Sequence, residues 1–139
     1  MKLLIPLDGS TTSLAAVDHA ERLAAQGVSL SVVLVNVQPS LSADITRFVA
    51  SDMVDEYHQD QSEKAVADAL ARLSSGTIEF ETRFLVGDAA HIIAELANEM
   101  ACDGIVMGSH GHTGVVGALM GSIATKVVNL ANVPVILVK

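Results

Sequence analysis

Between Met107 and Lys126 the chain reads MGSHGHTGVVGALMGSIATK, and half of its ten glycines fall there: Gly108, Gly111, Gly114, Gly117 and Gly121. An apolar run leads into this stretch and a helical pattern leads out of it. Such a junction suits an anion. Bare backbone lets a phosphate approach closely, successive amides can form a nest, and a helix N-terminus adds unpaired N–H groups with partial positive charge. Ser122 would add a hydroxyl donor at the helix start. The same glycines would equally serve a loose loop or tight helix–sheet packing, and spacing alone leaves these readings open. The pattern is neither a Walker A loop nor the dinucleotide G-x-G-x-x-G.

A second constellation is IPLDGS, Ile5–Ser10. Asp8 follows the first apolar run, with Pro6 interrupting the strand before it and Gly9-Ser10 forming a turn. Its carboxylate could bind a ribose hydroxyl, accept from an amino group or help hold Mg²⁺, or it could form an Asx-turn that shapes the strand exit. His110 and His112 form an H-x-H spacing inside the glycine stretch, but a metal site needs further ligands and no third His or Cys lies nearby in sequence. His19, His58 and His91 fall on helical segments and are expected at the surface. Cys102, the sole cysteine, reads as a small buried residue, and no intrachain disulfide can form.

The elements that must position these residues alternate in period. Lys2–Asp8, Ser29–Val37, Asp103–Gly108 and Val133–Lys139 are short apolar runs that read as strands mostly buried on both faces. Ile78–Val86 alternates, with Glu79, Glu81 and Arg83 on one face, and belongs nearer an edge. Helical patterns cover Thr12–Gln26, Ala43–Val49, Asp52–Leu73, Asp88–Ala101 and Gly121 or Ser122 to about Ala131, with Gly27 closing the first and Asp88 placed to cap the fourth. Asp52, Asp55, Glu56, Asp60 and Glu63 read as a solvated face near a helix N-terminus. The resulting β-α alternation predicts one α/β domain over residues 1–139: an open, parallel five-stranded sheet with helices on both faces, three layers in all. Ligands in such sheets bind beyond the carboxyl ends of the strands, so the Asp8 and Gly108 loops would flank one crevice if the first and fourth strands are neighbours.

Bulk properties exclude other classes. Sixteen acidic against eight basic residues give a net charge of −8. With no basic cluster, no Trp and one Tyr, the chain lacks the means to grip nucleic acid. No apolar run approaches the length of a membrane span. The opening Met1-Lys2 and a short run ending at Pro6 lack the core of a signal peptide, so a cytoplasmic location is expected.

Gly108-x2-Gly111-x9-Gly121-Ser122 matches G-x2-G-x9-G-[ST], and in this the chain resembles the universal stress protein family. LLIPLDGS, VGDAAHIIAELANEMACDGIVMGSHG and GSIATKVVNLANVPVILVK extend the resemblance to nearly the whole chain, leaving about 40–74 uninformative. It implies a strand order 3-2-1-4-5 and binding of ATP or AMP. Gly108, Gly111, Gly121 and Ser122 would hold ribose and phosphates, with His110 in the same loop. His112 would help neutralise phosphate when protonated. Pro6, Leu7 and Asp8 would border the adenine and a Mg²⁺ ion held by Asp8. Val37 would pack on the adenine, and Met107 and Ile123 would line the same pocket. Ala124 stands where some members have a hydroxyl. The resemblance also implies a homodimer pairing Val135, Ile136, Leu137 and Val138 across a two-fold axis, which would cover an apolar edge. The function implied is stress-response regulation through an unidentified downstream protein. The alternatives are a slow ATPase or phosphoryl-transfer enzyme, with Asp8 or His110 positioning water, and a nucleotide-free dimeric interaction module. A phosphorylated receiver domain would need a second acid after the first strand, and IPLDGS has one.

Overall fold

The side chains of neighbouring strand residues point to opposite sides, and here both sides are apolar. In the computed structural model, which describes residues 1–111 and 120–139, Leu3 and Ile5 face one way and Leu4 the other, all three buried. Val32 and Leu34 oppose Val33 and Val35 in the same manner, and Val106 opposes Ile105 and Met107. Continuous apolar runs of this kind require a cover on each face.

The chain supplies it in the order β1 (Lys2–Pro6), α1 (Thr11–Ala25), β2 (Ser31–Gln38), α2 (Ala43–Phe48), α3 (Ser51–Ser74), β3 (Glu79–Val86), α4 (Ala89–Glu99), β4 (Gly104–Gly108), α5 (Ser122–Leu130) and β5 (Val135–Val138). The five strands form one parallel sheet, as the β-α alternation predicts, in the order β3-β2-β1-β4-β5 that the family resemblance implies. Ala16, Val17 and Ala20 of α1 and Val66, Ala69 and Leu73 of α3 close one face. Ala90, Ile93, Leu96 and Ala97 of α4 and Ala124 and Val127 of α5 close the other, where Cys102 is also buried. Arg72 of α3 pairs with Asp18 and Glu21 of α1, tying that layer together.

Helix starts follow local chemistry. Ser10 caps α1 by accepting from the Ser13 amide, and Asp88 caps α4 by accepting from His91. The expected elements are all present, with no end moved by more than two residues. β1, for instance, stops at Pro6, which fits a residue without an N–H at a strand's end.

One expectation is overturned. His58 is not a surface residue but only 8% exposed. It begins the inward row His58, Ser62, Val66, Ala69 and Leu73 of α3, and its ring Nε2 lies 3.2 Å from the Pro39 carbonyl. Helical spacing decides which way the residue faces, and the carbonyl satisfies the ring. His19 is half-buried and His91 exposed.

Both edges are strands of different character. β3 shows Glu79, Glu81 and Arg83 to solvent, as the alternation predicts, and outward charges blunt an edge. β5 reads Val-Ile-Leu-Val with no charge, and Ile136 is exposed.

Candidate functional site

The chain leaves β1 toward β2 on one side, while β4 lies on the other, so the strand order reverses between β1 and β4. A cavity of about 300 Å³ opens there, beyond the carboxyl ends of the strands. Pro6, Leu7, Asp8, Val37, Met107, Gly108, His110, Gly111, Gly121, Ser122 and Ile123 all line it. The remaining candidate, His112, lies outside the described residues.

The lining divides in two. Pro6, Val35, Val37, Ala89, Met107, Ile123 and Ala124 make an apolar wall contributed by β1, β2, β4, α4 and α5. Asp8, Ser13, Ser109, His110 and Ser122 supply polar groups. Ser13, Val35, Ala89, Ser109 and Met120 were not among the sequence candidates. Val35 could have been found, since it shares a strand face with Val37. Ser13 carries a weaker signal, one turn into a helix that begins beside Asp8.

The Asp8 loop is held from two sides. Asp8 Oδ1 accepts from the Ser10 amide at 2.9 Å, an Asx-turn, so the shaping role foreseen for this residue operates alongside its place in the cavity wall. The Leu7 amide donates to Val35 O at 2.8 Å, extending the ladder past the strand. Asn36, 2% exposed, donates from Nδ2 to Leu7 O at 2.7 Å and accepts from Gln38 Nε2 at 2.8 Å. A buried amide thus fixes the loop that carries Asp8.

The glycines answer to different neighbours. A Cβ on Gly108 would lie 2.9 Å from the carbonyl carbon and Cγ2 of Thr12, so α1 packs on bare backbone there. At this position tight packing within the chain accounts for the glycine. A Cβ on Gly111 would instead lie 2.5 Å from Asp8 Oδ2. Gly121 donates its amide to Ser109 O at 2.6 Å, and Ser109 donates its own to Val138 O at 2.8 Å. Ser109, itself buried, therefore links the end of β4, the start of α5 and β5, and its Oγ lies 3.0 Å from His110 Nδ1.

α5 opens into this cavity with Gly121 as N-cap, a residue with no side chain to cap the helix. That end carries N–H groups and the positive end of the helix dipole. Asp8 is the acidic side chain among the described lining residues, and none of them is Lys or Arg. Lys126 and the Asp88–His91 pair lie on the adjoining helices. The hydrogen bond from His91 holds the Asp88 carboxyl below the usual carboxylate range, helped by the His91 backbone and Lys126. Away from the cavity, burial pushes the Cys102 thiol up. Among the described residues no three His, Cys, Asp or Glu side chains converge as a metal site. Asp8 alone could contribute to one, with ligand oxygens completing the shell. No described helix is long and apolar enough to cross a membrane.

Comparison with known proteins gives a consistent picture. The model of the universal stress protein family matches residues 1–139. Universal stress protein MJ0531 of Methanocaldococcus jannaschii is 30% identical over 140 residues, covering 99% of this chain and 81% of that protein. Among solved structures, M. jannaschii protein MJ0577 superposes with a TM-score of 0.86 at 24% identity, over 99% of this chain and 94% of its own. A universal stress protein in complex with cAMP gives 0.69 at 26% identity, over 100% and 97% of the two chains. The protein from Archaeoglobus fulgidus in complex with dAMP gives 0.67 at 20% identity, over 100% and 98%.

Proposed function

This chain belongs to the universal stress protein family, and on that premise we propose that it is a homodimeric, cytoplasmic regulatory protein that binds an adenine nucleotide, ATP or AMP, in the cavity between β1 and β4. The observation that carries this reading is the mixed lining of the cavity: apolar side chains from three strands and two helices, together with a helix start whose N-cap, Gly121, has no side chain of its own. A base is flat and apolar on its faces; a phosphate is an anion. The two kinds of lining match the two ends of a nucleotide.

In this reading Pro6, Leu7, Val37, Met107 and Ile123 receive the base. Gly111, Gly121, Ser122 and His110 receive ribose and phosphates, with Gly108 supplying backbone and His112 an added positive charge. Asp8 accepts from a ribose hydroxyl or shares Mg²⁺ with a polyphosphate. Complexes of related proteins with cAMP and dAMP support an adenine ligand. The buried, reduced Cys102 suits the cytoplasm.

The homodimer forms by antiparallel pairing of β5, Val135–Val138, whose outer edge carries no charge against a second copy. Sedimentation equilibrium at micromolar concentration checks it, and a monomer there removes this part of the proposal.

The decisive experiment is mass spectrometry of small molecules released on denaturing the purified protein, beside a Gly111→Val, Ser122→Ala variant. Near-stoichiometric adenine nucleotide from the wild type alone is expected. No nucleotide from either, together with no ATP or AMP binding on titration, overturns the reading and favours a nucleotide-free dimeric module.

A further inference from the structure

The inward row of α3 starts with two polar residues, His58 and Ser62, and the apolar side chains of its first turns face the other way. Met53 is 59% exposed and Tyr57 49%. Spaced four apart, they lie on one stripe of the helix. Phe48, which ends α2 only two residues before α3 begins, is 88% exposed, and Ile45 one turn earlier is exposed as well. Single apolar residues on a surface need no explanation, but a group of them rimmed by charge marks a contact surface.

Around Met53 and Tyr57 the rim is of one sign, the exposed Arg47 lying at the α2 end beside Phe48. Met53 and Tyr57 share a shallow groove with Glu56, Gln59, Asp60 and Glu63, all exposed. Asp52 and Asp55 add exposed carboxylates on the same turns. The one lysine nearby on the helix, Lys64, is held by Asp60 at 3.1 Å. The strip is apolar along its middle and negative along its border.

That charge selects the occupant. A second copy docked by a two-fold axis would set this acidic row against itself. A cytoplasmic membrane surface is itself negative and would repel it. A helix with an apolar stripe and basic flanks satisfies both parts, laying its stripe on Met53 and Tyr57 and its cations on the carboxylates. Methionine and tyrosine suit such a surface, the first by adapting its shape and the second by pairing an apolar ring with a polar tip. We propose that the Met53–Tyr57 face of α3, with Phe48 beside its start, docks a basic amphipathic helix of a partner protein. Because α3 begins beyond the carboxyl end of β2, the docked helix would sit at the same end of the sheet as the cavity.

A labelled helical peptide of leucine and lysine, its leucines on one face, tests this by fluorescence anisotropy on the full chain. A scrambled peptide of identical composition controls for charge alone. The amphipathic peptide is expected to bind at least about tenfold more tightly than the scrambled one. Met53→Ser, Tyr57→Ser should lose about tenfold in affinity, and Glu56→Gln, Asp60→Gln, Glu63→Gln should weaken binding and flatten its salt dependence. All these positions are exposed, and circular dichroism confirms that the variants keep the fold. Equal binding of the two peptides, or variants that bind like the wild type, overturns the proposal. Self-association of the wild type that the Met53→Ser, Tyr57→Ser variant abolishes also overturns it, in favour of a second copy.

Discussion

Asp8 Oδ2 occupies the space that a side chain on Gly111 would need, 2.5 Å from where its Cβ would stand. The loop after β1 and the loop after β4 are therefore fitted to one another through a carboxylate and a missing methyl. Gly108, three residues earlier, is fitted to the backbone of α1 instead. The two glycines belong to one motif, yet their substitutions should fail in different ways.

Gly111→Ala meets the end of the Asp8 side chain and no backbone atom of the described residues. Nucleotide affinity should fall by about tenfold, about 1.4 kcal/mol, with the thermal midpoint little changed. Gly108→Ala meets the carbonyl carbon of Thr12, which cannot rotate away. It should destabilise the protein by about 1–3 kcal/mol in urea denaturation. A Gly108→Ala protein as stable as wild type would refute the packing account.

Ser122→Asp separates helix energetics from ligand binding. Placed at the first residue of α5, a carboxylate should stabilise the helix by about 0.3–1 kcal/mol, because it complements the dipole. The same charge would repel a phosphate at those amides, so affinity for ATP or AMP should drop while stability rises. If both stay level or rise together, the phosphates are not at this helix start.

Asn36→Leu removes the donor that satisfies Leu7 O inside the protein. A buried carbonyl left without a partner costs about 1–3 kcal/mol. The urea midpoint should fall with its slope unchanged, and nucleotide affinity should weaken because the Asp8 loop loses its anchor. Affinity equal to wild type at saturating folded protein would show that Asn36 supports the core alone.

Acid should act partly through Asp88. Its carboxyl is held below the usual range by His91, so the ionised form is favoured by folding. The stability this contributes is fully present above the unfolded carboxyl value, about 3.9. It is lost as pH falls from there through the lower folded value. Asp88→Asn keeps a capping side chain but cannot titrate. Thermal midpoints between about pH 5 and pH 2 should decline less steeply in the variant; parallel curves would assign the acid response elsewhere.

The parts of this molecule legible in the sequence are those written in local period. Leu3-Leu4-Ile5 and Val32–Val35 announce a sheet covered on both faces, and Glu79, Glu81 and Arg83 mark an edge. The cavity's two loops could be placed because both follow strands. What the sequence concealed depends on pairs of residues distant along the chain. Nothing near Asn36 tells that its amide reaches Leu7, and nothing near Ser109 points to Val138. The glycine of Gly108 reads as room for a ligand until Thr12 is seen against it. His58 misleads for another reason: polarity suggests the surface, whereas its place in the helical row puts it inside against Pro39.

The two hydrogen bonds of the Ser109 backbone have a practical side. Its N–H is held by Val138 and its carbonyl by Gly121, so the outermost strand and the mouth of the cavity share one residue as a common strut. A dye, bead or affinity handle attached just past Val138 would pull on that strut whenever it tugged on the chain. At the opposite end of the sheet the Met1 amine rests on the Ser29 carbonyl, a sheet's length from the cavity. Handles for binding measurements belong on that side, and force applied from the β5 side becomes a way to pry the cavity open.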